Sequence, residues 1–452
     1  MRTAVLNIVG LTPRHIGPHT PRIAAYAAAH HSAPYRPAFP ALTCTAQSDI
    51  LTGQPPANHG IVANGWYNRD YSEVHFWKQS NHLVQSPKIW QTLKAQNPDF
   101  TCAKLFWWYN MYSTADYTIT PRPMYPADGR KVFDIYTQPA SIRQDIKADL
   151  GEFPFFTFWG PKADIDCSQW IAKSAIWTEE KYAPTLSLVY LPHLDYNLQR
   201  LGPSHPDIAK DLAQIDTVVG QLLDFYAARD IQVVLLSEYG ITDVDTPIHP
   251  NRALRQKGWL ATKDELGLEQ LDPGASQAFA VADHQVAHIY LNDPTIETQV
   301  RDTLLALPGV AQVLDRAAQK SLGIAHPRSG DLIAVSHENA WFTYYYWLDD
   351  AKAPDYARTI DIHRKPGYDP VELFVDPTLK LPAAKIAKFL LKKKLGFRAL
   401  LDVIPLDATL VRGSHGCLPQ DQKDWPVFIS PLQAPKSLTS TQIHDHLLAH
   451  FQ

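Results

Sequence analysis

The stretch LSLVYLPHLDYNLQRLGPSHPDIAKDLAQIDTVVGQLLDFYAARDIQVVLLSEYG, residues Leu186–Gly240, decides the fold. It opens on Leu186–Leu191 and closes on Ile231–Leu236, two short and mostly apolar runs that fit strands buried on both faces. Between them Ile208, Leu212, Ile215, Val219, Leu222 and Tyr226 follow one another in steps of four and three. That spacing lays one apolar stripe along a helix. Strand, helix, strand at this distance is a βαβ unit, and a parallel sheet follows from it. Thr3–Val9 (TAVLNIV) has the same character as the two strands and joins the same sheet.

Beyond about residue 270 the texture changes. Gln277–Asn292 ends in VAHIYLND and reads as a strand, while Val300–Leu307 and Lys385–Leu395 read as helices. Trp341–Trp347 is an aromatic run, and Pro354–Asp376 is rich in Pro and Asp. A long irregular stretch in a compact chain points to a functional or capping segment. The lysines around Lys392 read as a solvated helix face. Repeats and low-complexity tracts are missing.

Composition narrows the class. At 452 residues the length suggests about three domain-sized units. With 45% hydrophobic and 19% charged residues the chain excludes disorder, collagen and coiled coil. Proline outnumbers glycine, 36 to 21, which means many rigid non-helical connections. A net charge of −4 gives no basic groove, so no nucleic-acid polymer is expected as partner. Cys44, Cys102, Cys167 and Cys417 lie far apart with no CxxC pair, so reduced thiols and a cytoplasmic location are expected. The N-terminus lacks the pattern of a signal peptide, and no run of 18 apolar residues could span a membrane. Nothing in the sequence sets the oligomeric state.

Ligands of open parallel sheets sit beyond the carboxyl ends of the strands. There the chain places Gly10-Leu11-Thr12, then Pro192-His193-Leu194-Asp195 with Gln199, then Ser237-Glu238-Tyr239-Gly240. Two carboxylates at neighbouring strand ends, Asp195 and Glu238, are costly unless paired or bound to a cation. The bland alternative is that each caps a helix. A second patch runs from Ala41 to Gly53, with a short helix over Ala46–Leu51. A Thr at such a helix start caps it, or serves as a nucleophile where the helix end favours phosphate. A third patch, Arg412-Gly413-Ser414-His415-Gly416, places His415 between glycines, where it reads as exposed and either a ligand or a turn.

These landmarks resemble a known family. The run PALTCTAQSDILTGQPPANHGIVANGWY, Pro40–Tyr67, resembles the nucleophile segment of the alkaline phosphatase superfamily. Its nearest branch looks like the nucleotide pyrophosphatase/phosphodiesterases and their phosphonoacetate hydrolase relatives. The N-terminal strand, YLPHLDYNLQRLGP, LSEYG and RGSHG follow in the family's order. The resemblance implies an α/β fold, an alkaline-phosphatase-like core with a mainly parallel sheet between helices, plus an inserted smaller α+β cap. The core would take residues 1–284 and 400–452, and the cap 285–399. It implies Thr43 as nucleophile and Asn64, twenty-one residues later, as the phosphate-binding amide.

In that family two zinc ions clamp the phosphoryl group. One site maps onto Asp195, Gln199 and His415, and the other onto Val9, Glu238 and Tyr239 together with Thr43. Val9 has no donor atom, Gln199 and Tyr239 stand where imidazoles are usual, and Glu238 replaces Asp. The ligand positions that keep donors are thus Asp195, Gln199, Glu238 and His415. The resemblance implies a divalent metal as cofactor, zinc first; because zinc prefers nitrogen and sulfur, a single ion or a harder cation stands beside it. His193, His249, Asp243 and Asp245 are candidates to compensate, as are Asp283, His284 and His288 from the second half. Asp361–Tyr368 reads either as an anion-binding segment or as a surface turn. The expected function is a metal-dependent phosphodiesterase or pyrophosphatase acting on a small phosphorylated substrate. Two other readings stand beside it: a non-catalytic phosphate- or anion-binding member of the fold, and a transferase or isomerase that passes the phosphoryl group on.

Overall fold

Strand β1 (Thr3–Ile8) is buried along its whole length, because it pairs on both edges. A computed structural model describes every residue except 129 and 436. Val5 lies opposite Leu188 of β6 (Leu186–Leu191) on one side and Val234 of β7 (Gln232–Leu236) on the other. The remaining strands of this sheet are β2 (His31–Pro34), β3 (Cys102–Leu105), β4 (Tyr117–Pro121), β5 (Ile135–Gln138) and β12 (Val427–Ser430). Their spatial order is β2-β12-β7-β1-β6-β3-β4-β5. The pairs from β7 through β4 are parallel, and the edges are antiparallel. The mainly parallel α/β core expected from the βαβ unit is therefore present.

Helices complete the layers. α4 (Ile208–Ala227) buries Ile208, Leu212, Ile215, Val219, Leu222 and Tyr226, the stripe read from the sequence. It packs beside α2 (Ile165–Tyr182) and α3 (His193–Leu201). α1 runs from Thr43 to Thr52, three residues earlier than expected, and every one of its residues is buried. It stops at Gly53, whose φ of +65° is the left-handed conformation that glycine adopts without steric penalty.

The second half forms a separate antiparallel sheet, ordered β8-β9-β11-β10. These strands are β8 (Ala278–Asp283), β9 (Val286–Leu291), β10 (Val310–Leu314) and β11 (Leu332–Ser336). The single strand expected over Gln277–Asn292 is thus a tight hairpin, turned at His284 with φ +58°. This sheet starts at Ala278, ahead of residue 285, and shares an apolar core with Val244, Ile248 and Leu254. The aromatic run is core too: Trp341, Tyr344, Tyr345, Tyr346 and Trp347 are all buried. Lys365 is buried between Asp369 and Glu372, each 2.7 Å away. Burial opposes its charge, but the two carboxylates outweigh that and raise its pKa.

Candidate active site

Thr43 is the first residue of α1, and its hydroxyl is buried at the carboxyl edge of the main sheet. The chain entering the helix is held from the far end of the sequence. Ala41 N–H donates to Gly416 O at 2.9 Å, and His415 Nδ1 lies 2.7 Å from Ala41 O. Gly413 allows this clamp to approach α3, since a Cβ there would fall 1.9 Å from Leu198 O. His415 is therefore a buried residue, 2% exposed, and not the exposed turn residue its flanking glycines suggested. Those glycines give close backbone approach instead of exposure.

From Thr43 a chain of hydrogen bonds runs inward. The Tyr239 hydroxyl is 3.1 Å from Thr43 Oγ1 and donates to Asp195 Oδ1 at 3.2 Å. A phenol has one proton, so Tyr239 accepts from Thr43 while it donates to Asp195. Gln199 Nε2 donates to Asp195 Oδ2 at 2.8 Å, and the Tyr368 hydroxyl donates to Gln199 Oε1 at 2.9 Å. Burial pushes the Asp195 carboxyl up to about 7, although both donors pull it down.

Glu238 forms a second knot. Its Oε1 accepts from Asn7 Nδ2 and from Gln47 Nε2, and Gln47 Oε1 accepts from Trp108 N–H at 2.7 Å. Burial pushes the Glu238 carboxyl up to about 8, against the two amide bonds. Asn7 and Gln47 were not singled out in the sequence, yet each had a signal. Asn7 is the lone amide in an apolar strand, on the same face as Val9. Gln47 lies one helical turn after Thr43.

The second half reaches into the same place. Asp283, at the end of β8, accepts from Asn64 N–H at 2.8 Å and from Asn64 Nδ2 at 3.1 Å. Its Oδ1 also meets His284 Nδ1 at 2.8 Å, and Asn64 Oδ1 accepts from Cys44 N–H at 3.0 Å. Four rings then follow one another, the outer pairs stacked and the two imidazoles tilted by 38°. Tyr239 lies 3.6 Å from His415, His415 lies 3.8 Å from His284, and His284 lies 3.6 Å from Tyr368. Burial holds both imidazoles well below their usual pKa. Trp77 packs on Trp108 at 4.7 Å and on Tyr368 at 6.1 Å.

Other compensating candidates lie elsewhere. His193 faces Asp211 at 3.4 Å, His249 bonds Thr343, Asp243 bonds Ser204 and Asp245 bonds Asn339. His288 bonds Val62 O and Gly330 N–H. Of the segment Asp361–Tyr368, Tyr368 enters the site, while Lys365 is spent on its own ion pairs.

The expected metal positions can be tested against these contacts. Asp195, Gln199, Glu238 and His415 do lie in one cluster, but Gln199 Oε1 accepts from Tyr368 and the Tyr239 hydroxyl donates to Asp195, so neither faces a cation. Val9 offers no donor. Among the described residues no group of three or more His, Cys, Asp or Glu is placed to hold a metal ion. The donor set does not fit a two-zinc centre. What it leaves open are buried atoms without partners among the described residues: Glu238 Oε2, His415 Nε2, His284 Nε2 and Asn7 Oδ1. Such atoms are expensive to leave unpaired, and a bound molecule is what would pair them.

Residues 3–369 match the type I phosphodiesterase / nucleotide pyrophosphatase family. The chain belongs to that family. Its curated relatives include an uncharacterized pyrophosphatase/phosphodiesterase of Schizosaccharomyces pombe, 24% identical over 52% of this chain and 42% of that protein. Ectonucleotide pyrophosphatase/phosphodiesterase 1 of Saccharomyces cerevisiae is 25% identical over 47% of this chain and 29% of its own length. The chain thus spans less than half the length of the curated relatives it matches. Among solved structures, murine ectonucleotide pyrophosphatase/phosphodiesterase 5, in an inactive form with AMP, superposes with a TM-score of 0.60 at 14% identity. Phosphonoacetate hydrolase from Sinorhizobium meliloti, with phosphonoformate, gives 0.63 at 13% identity. Both alignments cover 99% of this chain and 95% of the other. At such identities they show the shared fold, which is the phosphodiesterase family's alkaline-phosphatase-like core.

Proposed function

We propose that the chain is a phosphoryl-transfer hydrolase acting on a small phosphodiester or nucleotide-like pyrophosphate, with Thr43 as nucleophile. The observation that carries this reading is the hydrogen-bonded line from Thr43 Oγ1 through Tyr239 to Asp195. A hydroxyl attacks phosphorus well when a base takes its proton, and this line provides a route to one. Oxygen of Thr43 bonds to phosphorus as the bond to the leaving oxygen breaks, and the Thr43 proton passes through Tyr239 to Asp195. The leaving oxygen takes a proton from solvent. Water then attacks phosphorus and gives one proton to solvent, while the proton on Asp195 returns through Tyr239 to the Thr43 oxygen as its bond to phosphorus breaks.

The remaining N–H groups at the start of α1 and the second Nδ2 hydrogen of Asn64 would meet the negative charge of the phosphoryl oxygens. Burial favours the neutral form of His284 and His415, and an anion beside them favours their charged, donating form. The family match supports the reaction class, and the murine neighbour's AMP makes a nucleotide the first substrate to try.

The direct experiment is to quench turnover of bis(4-nitrophenyl) phosphate and of nucleotide esters, and to map adducts by peptide mass. A phosphoryl adduct on the peptide holding Thr43 is expected. Turnover with an adduct elsewhere would displace Thr43 from the role. Tyr239→Phe should slow kcat about a hundredfold or more, with the fold unchanged by circular dichroism, because it cuts the proton route. Unaltered kcat would show that Thr43 is activated by another group.

Elemental analysis of protein purified without chelators is expected to find substoichiometric divalent metal. A full equivalent of zinc, lost in Asp195→Ala and His415→Ala, would contradict this and assign those residues to an ion. One observation favours a second reading, an anion-binding protein without turnover: Gln199 and Tyr239 fill two metal positions with hydrogen bonds. Calorimetric binding of phosphate or AMP, with no turnover across the substrate panel, would select it.

A further inference from the structure

Helix α5 (Pro382–Lys394) carries apolar side chains on two sides where packing on its host requires one. Ile386 packs against the apolar core of the antiparallel sheet, and Phe389 beside it is half-buried. Leu391 and Leu395, four residues apart, fall on the opposite side at 100° per residue. They are 58% and 65% exposed, with Phe397 and Leu400 just beyond at 64% and 52%. Apolar groups massed on a surface in this way mark a contact that is made with something else.

Charge identifies that something. From residue 377 to 401 there are seven Lys and Arg and no Asp or Glu, in a chain whose net charge is −4. Lys385 is paired with Asp402, but among the described residues Lys388, Lys392, Lys393 and Lys394 have no ion pair. Arg398 Nε donates to Asp128 O at 3.2 Å, which brings a second segment alongside. That segment exposes Met124 and Tyr125 and carries Arg122, 5.7 Å from the Tyr125 ring centre. Cations and apolar side chains therefore interleave across two stretches distant in sequence.

A second copy of this chain would set like charges against each other. A surface that offers negative charge and hydrocarbon at adjacent depths answers both features, and an anionic bilayer has that layering. No helix among the described residues is long and apolar enough to cross a membrane, so such contact is made from one side. We propose that α5, Phe397 and the Met124–Tyr125 segment form a docking surface for an anionic lipid bilayer.

The test is co-sedimentation of the full chain with vesicles of phosphatidylcholine, alone or with about one-third phosphatidylglycerol. Binding to the anionic vesicles is expected, weakening as salt rises. Lys392→Glu with Lys393→Glu and Lys394→Glu should reduce affinity roughly a hundredfold. The four native cysteines are buried, so Leu391→Cys can carry an environment-sensitive dye at one position. Its emission should shift to the blue with anionic vesicles and not with neutral ones. Absence of binding, or equal binding to both vesicle types, would overturn the proposal. So would a concentration-dependent dimer broken by the same charge reversals, which would assign the face to a second copy.

Discussion

Thr43→Ala is expected to lower turnover of any accepted phosphodiester by a thousandfold or more, on the order of what loss of a covalent nucleophile does elsewhere. The substitution removes one oxygen and one methyl group from a site whose other contacts stay in place. Cys44 N–H still reaches Asn64, and His415 still clamps Ala41. Substrate affinity should therefore survive, measured by equilibrium binding of a non-hydrolysed nucleotide, while kcat collapses. A variant that keeps full kcat would move the nucleophile elsewhere. One that loses affinity and kcat together would point to a collapsed pocket instead of missing chemistry.

Lys365→Met should be the most destabilising single change away from the site, by about 3–5 kcal/mol in chemical denaturation. Lys365 is 1% exposed and contacts both Asp369 and Glu372, and Glu372 also accepts from Trp159 Nε1 at 2.6 Å. Without the ammonium two carboxyls remain buried with no counter-charge, and one must take up a proton or pull in water. Adding Glu372→Gln to the same chain should return part of the loss, since it removes one of the two acids. If the double variant is no more stable than the single, the loss comes from packing of the lysine stem.

The main sheet was legible because its strands are apolar throughout and its crossing helix is periodic. Those signals are local, so β1, β6, β7 and α4 appear within a residue or two of where the pattern put them. Thr43 and Asn64 came from the family resemblance of one continuous segment, and the Cys44 N–H bond to Asn64 Oδ1 brings them together. Harder to see was anything that depends on which loop lands on which. His284 follows Asp283 at a hairpin turn and looks like a turn residue, yet its position is set by the end of β8 bonding to Asn64. Tyr368 was embedded in a basic, proline-rich stretch, where Lys365 drew the reading toward an anion site. Gln199 and Tyr239 could be seen as poor zinc ligands, but not as bonding partners of the same carboxylate. His415 misled in the other direction, because glycines on both sides suggest openness and here permit crowding.

The clamp on Ala41 sets an order of events during synthesis. His415 lies 374 residues after the carbonyl it holds, and Asp283, which grips Asn64, arrives between them. At ribosomal rates of roughly 5–20 residues per second, the segment entering α1 waits on the order of tens of seconds for its last partner. Until then α1 has no clamp, while the Asn64 loop gains its anchor earlier, once Asp283 has emerged. A nascent chain, or a fragment cut before residue 415, should carry the family's most recognisable motif and still lack its pocket.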